Sequence, residues 1–258
     1  MNTLVFDIET VPDVALGARL FELEGLDDAD IARAMFARRR EKTGGSEFLQ
    51  HHFHRIVAIS ICLKTSKQFK VWSLGDEDSD EGELIRRFFD GIDRYQPTLV
   101  SWNGGGFDLP VLHYRSMIYG INAERYWDTG QLDRESRYNN YTNRFHARHT
   151  DLMDVLSGYQ ARAVAPLDQI AVMLGFPGKF GMSGSEVWPA YLEGRLSDIR
   201  DYCETDVLNT YLVYLRFEVT RGVLDIESFE RQCTEIRDYL TEENKPHFTR
   251  FLETWNAS

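Results

Sequence analysis

The chain has 258 residues, of which 43% are hydrophobic and 27% are charged, and its formal net charge at pH 7 is -12. A chain of this length and composition can bury a substantial core within one domain. The negative charge excludes a protein that holds nucleic acid by bulk electrostatic attraction, so a polyanion would have to be bound through metal ions or local basic patches.

The cysteines and the apolar runs limit the class of protein further. Cys62, Cys203 and Cys233 are too few and too scattered for a disulfide framework or a zinc site. They fit a reducing cytoplasm, which is where we expect the protein to act. No run of about 18 apolar residues occurs. No basic stretch followed by an apolar one opens the chain, so we expect neither a membrane span nor a secretion signal.

The first predicted element is an apolar strand over residues 4–10 that carries Asp7 and Glu9. Side chains alternate along a strand, so both acids project from one face. The opposite face carries Leu4, Phe6 and Ile8. A strand this apolar belongs in the centre of a sheet, where unpaired carboxylates are costly. Two interpretations stay open: the acids bind a hard cation such as Mg²⁺ or Mn²⁺, or they pair with arginine or lysine.

The next elements follow from periodicity and turn residues. Residues 10–13 are expected to end the first strand, because proline cannot continue the ladder of a central strand. Residues 27–42 show a helical pattern with a basic end and are predicted to form an excursion from the core. Residues 56–63 and 68–72 are predicted to form a hairpin, which makes the sheet partly antiparallel. Residues 84–92 carry one apolar helical face and are predicted to cover the sheet.

A glycine-rich turn follows the next short strand, which is predicted over residues 98–102. It is Asn103-Gly-Gly-Gly-Phe107-Asp108, and it has neither the P-loop nor the dinucleotide-binding spacing. Asp108 begins a helix with Pro110 in its first turn. Taken alone, Asp108 is best explained as a helix N-cap. The alternative is that it brings a third carboxylate to the edge of the sheet.

Three segments in the second half of the chain carry weaker patterns. Residues 124–150 mix arginines with aromatic residues, which suits backbone contact and base stacking with single-stranded nucleic acid. A solvated, irregular connection explains this segment about as well. Residues 167–174 are predicted to form a helix that ends at Gly175. Residues 178–185 are glycine-rich and are expected to rim a site, without a chemical role of their own.

Residues 196–217 are predicted to form one long helix. Tyr202 and Asp206 lie four residues apart on its core-facing stripe. For this helix alone, a hydrogen-bond network in the core explains the two side chains slightly better than a chemical role does. Asp201 and Glu204 lie off the stripe and are predicted to be solvated.

Considered together, these stretches supply four carboxylates and a phenol. They are Asp7, Glu9, Asp108, Asp206 and Tyr202. Four acids in one place would repel one another unless cations held them, so two divalent metals are the economical explanation. Two metals roughly 3.5–4 Å apart form a known clamp for in-line attack on a phosphodiester.

The motifs resemble those of a known family, the DEDD 3′–5′ exonucleases of the ribonuclease H-like superfamily. The resemblance is to the tyrosine-containing (DEDDy) subgroup, specifically to stand-alone bacterial relatives of the proofreading domain of family B DNA polymerases. It rests on Phe6-Asp7-Ile8-Glu9-Thr10, Asn103-Gly-Gly-Gly-Phe107-Asp108 and Tyr202-Cys-Glu-Thr-Asp206. It implies an α/β fold, with a ribonuclease H-like mixed sheet of about five strands, partly antiparallel, flanked by helices.

The same resemblance implies a domain organisation. Residues 1–222 would form the exonuclease domain, with an insertion at about residues 13–53. Residues 223–258 would be a C-terminal helical extension of that domain. Neither 13–53 nor 223–258 carries a motif of the family. No polymerase region follows in this sequence, so the exonuclease is expected to act alone or as a subunit.

The resemblance also implies residue roles. Asp7 would bridge two divalent cations, Mg²⁺ or Mn²⁺. Glu9 and Asp206 would complete the shell of the first cation, and Asp108 would hold the second, mostly through water. Tyr202 would orient the attacking water and help to deprotonate it, which completes the catalytic set. The pocket for the terminal nucleotide would be lined by Thr10, Asn103 and Phe107.

The implied function is metal-dependent removal of nucleoside 5′-monophosphates from the 3′ end of single-stranded nucleic acid, with DNA favoured. RNA, a short oligonucleotide or a small nucleotide ester stays open as the substrate, because sugar choice depends on contacts that no motif reveals. A catalytically silent module that binds nucleic acid or a protein partner is the alternative from another class. For the entry channel of the strand we favour residues 124–150.

Overall fold

The computed structural model describes residues 2–179 and 181–257. Five strands form one sheet in the order β3-β2-β1-β4-β5. The strands are β1 (Thr3–Pro12), β2 (His54–Lys64), β3 (Phe69–Ser73), β4 (Thr98–Ser101) and β5 (His149–Asp151). β1 pairs antiparallel with β2 and parallel with β4. The predicted five-stranded, partly antiparallel α/β sheet is therefore confirmed.

The described part of the chain contains eleven α-helices around this sheet. They are α1 (Val14–Phe21), α2 (Asp28–Thr43), α3 (Glu81–Tyr95), α4 (Asp108–Ile118), α5 (Glu124–Trp127), α6 (Leu152–Leu156), α7 (Leu167–Met173), α8 (Val187–Leu192), α9 (Leu196–Thr220), α10 (Ile226–Glu243) and α11 (Pro246–Ala257). The helices predicted from periodicity correspond to α2, α3, α7 and α9, with small shifts at their ends. None of the described helices has the length and apolarity needed to cross a membrane.

The two faces of β1 enter two different cores. Leu4, Phe6 and Ile8 pack in a buried cluster with apolar residues of α3 and α4. Val5 packs in a second cluster, built mainly from α9, α10 and α11. This alternation is the one expected of a central strand. Asp7 and Glu9 share the face of Val5, so their side chains are directed towards α9.

β1 ends at the proline of the segment that was predicted to end it. The prediction that residues 10–13 end the strand is confirmed, because β1 ends at Pro12, the last of its residues that pairs with β2. Pairing with β4 stops at Val5, so beyond this point β1 has a partner on one side only. Proline is tolerated on such an edge. The register shifts between Glu9 and Thr10, and this bulge bends the strand next to the two acids.

A buried ionic cluster attaches the start of α1 to the rest of the fold. Arg115 of α4 is 4% exposed, and its Nε donates to Glu81 of α3 at 2.8 Å. The same guanidinium donates to Asp13, which also accepts the N–H of Leu16 at the start of α1. Glu81 accepts the backbone N–H of Ile56 in β2 at 2.7 Å. The cluster thus joins α1, α3, α4 and β2.

Replacing Arg115 with methionine is expected to lower the free energy of unfolding by about 3–5 kcal/mol, because it leaves two buried carboxylates without their cation. Urea denaturation measures this loss. The matched control is Arg87→Met, which removes an exposed pair with Glu83 on α3 and should cost no more than about 1 kcal/mol. Equal losses in the two variants would contradict a special role for the buried cluster.

Helices α10 and α11 pack against α9 in one buried cluster. Glu204 was predicted to be solvated, and this prediction was wrong: it is 5% exposed. Its carboxylate accepts Lys245 Nζ at 2.9 Å and lies 2.9 Å from His247 Nε2. Asp201 keeps 41% of its side chain exposed and lies 3.0 Å from His247 Nδ1. The helical periodicity of α9 could not reveal these contacts, because Lys245 and His247 come from a separate part of the chain.

His247 makes the stability of the contact between α11 and α9 depend on pH. Burial alone would lower the pKa of His247, but its bonds to Asp201 and Glu204 raise it above 6.5. Its contribution to stability is therefore complete below the unfolded pKa of about 6.5 and is lost as the pH rises through the raised pKa. We expect the wild type to have a higher thermal midpoint than His247→Gln at about pH 6. This difference should be smaller at about pH 9. A difference that grows with pH would contradict this sign.

Candidate active site

The two acids of β1 lie against α9. Asp7 is partly exposed, whereas Glu9 is 8% exposed. One ligand atom from each acid and the sulfur of Cys203 all lie within 4.8 Å of one another. Cys203 belongs to α9, and its Sγ lies 3.5 Å from Asp7 Oδ2. The first and third sequence motifs are thus brought into contact.

Asp108 reaches the same strand from the start of α4. Its Oδ1 accepts the backbone N–H of Ile8, the residue between the two acids, at 3.1 Å. This N–H lies where β1 has lost β4 as a partner, so the carboxylate takes the place of a neighbouring strand. The N-cap of α4 is Phe107. The interpretation of Asp108 as an N-cap was therefore wrong, and its carboxylate lies at the edge of the sheet.

Tyr202 and Asp206 lie one turn apart on α9 and face the acids of β1. The interaction between the Tyr202 phenol and the Asp206 carboxylate lowers the pKa of Asp206 and raises that of Tyr202. Lys179 Nζ lies 3.6 Å from Asp206 Oδ2 and 4.8 Å from the centroid of the Tyr202 ring. Sequence reasoning missed Lys179. The only signal was a lysine next to a glycine in the segment expected to rim a site, and this has no motif spacing.

Burial raises the pKa of all four carboxyl groups. The pKa of Asp7 lies well above its usual value because of burial and because of the negative charges of Asp108, Glu9 and Asp206. Burial also raises the pKa of Glu9 strongly and that of Asp108 to about 7. It raises the pKa of Asp206 even though Lys179 acts in the opposite direction. Such a cluster is unfavourable by itself, which is typical of residues gathered for chemistry.

An open cavity of about 540 Å³ gives access to these side chains. The polar part of its lining consists of Asp7, Glu9, Asn103, Asp168, Lys179, Tyr202, Asp206 and Asn209. The apolar part includes Trp102 and residues 164–167. Asp108 is not among the described lining residues, and it contacts the site through β1. The cavity is wide enough for a nucleotide-sized group next to the carboxylates.

The three residues expected to bind the terminal nucleotide separate into two places. Asn103 lines the cavity, and its backbone N–H donates to Asp151 at 2.9 Å, which holds the glycine-rich turn. Thr10 lies on β1 and its hydroxyl is 2.8 Å from His54 Nδ1. The ring of Phe107 packs edge-on against His54, at 5.0 Å between ring centroids. Thr10 and Phe107 therefore lie beside the cavity and not in its described lining.

The segment favoured as the entry channel, residues 124–150, also lies outside the described lining of this cavity. Two of its aromatic rings, Tyr126 and Tyr141, are buried and stack at 5.7 Å between centroids. The hydroxyl of Tyr141 donates to the backbone oxygen of Pro97 at 2.8 Å. These two rings serve the core and are not available to bases, so the cavity lends this choice of channel no support.

A family described as a predicted 3′–5′ exonuclease related to the exonuclease domain of PolB matches residues 46–255. This match includes Asp108, Tyr202 and Asp206, whereas Asp7 and Glu9 precede it. It also includes residues 223–255, which carry none of the sequence motifs.

Two polymerases resemble the chain over part of their length. The catalytic subunit of DNA polymerase epsilon from Saccharomyces cerevisiae is 25% identical over 146 residues, which are 54% of this chain and 6% of the polymerase. The family B DNA polymerase of the archaeon Pyrobaculum calidifontis aligns with a TM-score of 0.47 and 18% identity, over 82% of this chain and 24% of the polymerase. The chain thus spans less than a quarter of the length of either protein.

Proposed function

The chain belongs to the family of predicted 3′–5′ exonucleases related to the exonuclease domain of PolB, and from this premise we propose that it removes nucleoside 5′-monophosphates from the 3′ end of single-stranded nucleic acid. One observation carries the proposal: four carboxylates and a phenol from three distant stretches converge beside one open cavity. DNA is the favoured polymer. The exonuclease domain would comprise residues 1–222, with 13–53 as its insertion and 223–258 as its helical extension.

The donor set fits divalent cations. Carboxylate oxygens are the ligands that Mg²⁺ and Mn²⁺ prefer. Four acids also carry more negative charge than Lys179 can offset, which favours two cations. Asp7, Glu9 and Asp206 would hold the first, and Asp7 and Asp108 the second. When bound, these cations would stabilise the charge that develops on the phosphate and on the leaving oxygen. Burial raises the pKa of the Cys203 thiol, so we count Cys203 as a hydrogen-bond donor to Asp7 and not as a ligand.

Two further side chains would act on the substrate: Tyr202 from α9 would act on the attacking water, and Lys179 from the loop before α8 would act on the phosphate. The Tyr202 hydroxyl lies one helical turn from Asp206 and lines the cavity, so it can orient a water molecule towards the phosphate. The Lys179 ammonium is held over the same ring, with its side chain 36% exposed. From there it can approach a phosphate oxygen and offset its charge.

The identity of the first product tests the proposal. An oligothymidylate incubated with the protein and Mn²⁺ should release thymidine 5′-monophosphate from the first time point, as detected by liquid chromatography and mass spectrometry. Release of thymidine 3′-monophosphate would show the opposite bond cleaved. Internal fragments would show an endonuclease. Either product would contradict the proposed function.

A further inference from the structure

Residues 46–54 follow α2 and run into the first residue of β2, and their rings pack against Phe107 at the start of α4, next to the candidate ligand Asp108. Three of their rings surround the ring of Phe107, with centroid distances of 5.4, 5.8 and 5.0 Å for Phe48, His51 and His54. The last residues of the predicted insertion therefore contact Phe107, the residue directly before Asp108. None of this follows from the motifs.

His54 fixes this segment against β1. Its Nδ1 lies 2.8 Å from Thr10 Oγ1 and its Nε2 lies 3.2 Å from the backbone oxygen of Leu49. Burial lowers the pKa of His54 to about 4, so the ring is neutral at neutral pH. Its Nε2–H then donates to Leu49, and its Nδ1 accepts the hydroxyl of Thr10. A buried, neutral histidine thus sets the position of the segment relative to the acids of β1.

Phe48 is the exposed member of this group of rings. It keeps 56% of its surface in contact with solvent. Its backbone is held on both sides, because its carbonyl accepts Arg39 Nε at 2.7 Å and its N–H donates to Ser46 Oγ at 3.2 Å. A fixed aromatic ring that stays in water beside a candidate nuclease site suits stacking on an unpaired base.

A cationic surface continues from Phe48 along α2. A cavity of about 580 Å³ begins at the neighbouring residues Leu49 and Gln50, and its lining includes Arg38, Arg39 and Lys42. None of these three cations forms a salt bridge with a carboxylate within the described part of the chain, although Glu41 also lines the cavity. In a chain with a net charge of -12, such a local cluster is what a polyanion would need.

We propose that Phe48 and this cationic cavity bind the unpaired strand that leads to the 3′ end. The ring of Phe48 stacks on a base, and Arg38, Arg39 and Lys42 contact phosphates. The proposal rests on the proposed exonuclease function. It assigns substrate binding to α2 and residues 46–54, in place of residues 124–150. It also makes substrate length matter, because a single nucleotide ester can reach the carboxylates without reaching Phe48.

The test compares Phe48→Ala with the wild type in two assays. The first measures the Kd for a fluorescein-labelled oligothymidylate of about twelve nucleotides by fluorescence anisotropy in EDTA, which needs no catalysis. We expect the Kd to rise about 5- to 100-fold, the usual effect of removing one stacking ring. The second measures hydrolysis of the p-nitrophenyl ester of thymidine 5′-monophosphate with Mn²⁺. Its kcat/KM is expected to fall by much less than the affinity for the strand falls, because the ester does not reach Phe48.

The cationic cavity has its own test. A triple variant, Arg38→Gln with Arg39→Gln and Lys42→Gln, should make the plot of log Kd against log salt shallower by about 2, since each phosphate contact of a single strand contributes about 0.7. The control is Ile226→Ala, an exposed apolar side chain on α10, which should bind the strand as the wild type does.

Wild-type affinity in Phe48→Ala, or an unchanged salt dependence in the triple variant, would overturn the binding surface. A wild type that hydrolyses neither the strand nor the ester would contradict the proposed exonuclease instead. The anisotropy measurements decide on the surface in either case, so the two failures can be told apart.

Discussion

Asp7→Asn is expected to lower the rate of hydrolysis by at least about 10³-fold, which corresponds to several kcal/mol of transition-state stabilisation. Asp7 is the acid whose pKa is raised by all three of the others, so it lies at the centre of the cluster. Asparagine keeps the shape of the side chain and removes the charge that holds a cation. The rate is measured on a single-stranded oligonucleotide with Mn²⁺ or Mg²⁺.

The same variant is expected to be more stable than the wild type in EDTA. Burial and the charges of its neighbours raise the pKa of Asp7, which means that its ionised form is unfavourable in the folded protein. Removing that charge relieves the repulsion, so the thermal midpoint should rise. Asp90→Asn, on the exposed side of α3, is the matched control and should leave both rate and midpoint unchanged. A loss of stability together with activity would indicate misfolding and contradict this account.

Tyr202→Phe is expected to lower kcat by about 10²–10⁴-fold, the usual scale for a group that assists proton transfer. Phenylalanine keeps the ring and its contact with Lys179, so only the hydroxyl that interacts with Asp206 is lost. Single-turnover kinetics measure the rate, and calorimetric titration with Mn²⁺ measures metal affinity, which we expect to be unchanged.

The control for this substitution is Tyr191→Phe. The Tyr191 hydroxyl accepts Arg55 Nη2 at 2.6 Å and does not line the described cavity at the acids. The Tyr191→Phe variant should therefore hydrolyse the strand at the wild-type rate. If Tyr202→Phe also kept that rate, the hydroxyl would have no part in the mechanism. If it lost Mn²⁺ affinity, Tyr202 would be a structural support of the metal site.

β1 and α9 could be predicted from the sequence because each has a strong local pattern. Alternation in β1 is enough to place Asp7 and Glu9 on one face, and helical spacing is enough to place Tyr202 one turn from Asp206. Both predictions agree with the structure. Neither depends on a partner elsewhere in the chain.

Asp108, Glu204 and Lys179 show what local patterns cannot supply. The partner of Asp108 is the N–H of Ile8, 100 residues away, so an N-cap was the simpler local explanation. Glu204 is buried because its carboxylate contacts Ser73 of β3 and Lys245 and His247 from the end of the chain. Lys179 is a single residue in a loop, and its meaning depends on Asp206 being folded next to it.

The most direct test of the central claim is a time course on 5′-labelled single-stranded DNA with Mn²⁺, with Mg²⁺ and with EDTA, run beside Asp7→Asn. The account predicts a ladder that shortens one nucleotide at a time from the 3′ end, requires the metal and is absent in the variant. Cleavage that persists in EDTA or in Asp7→Asn, or no cleavage in either metal, would contradict it.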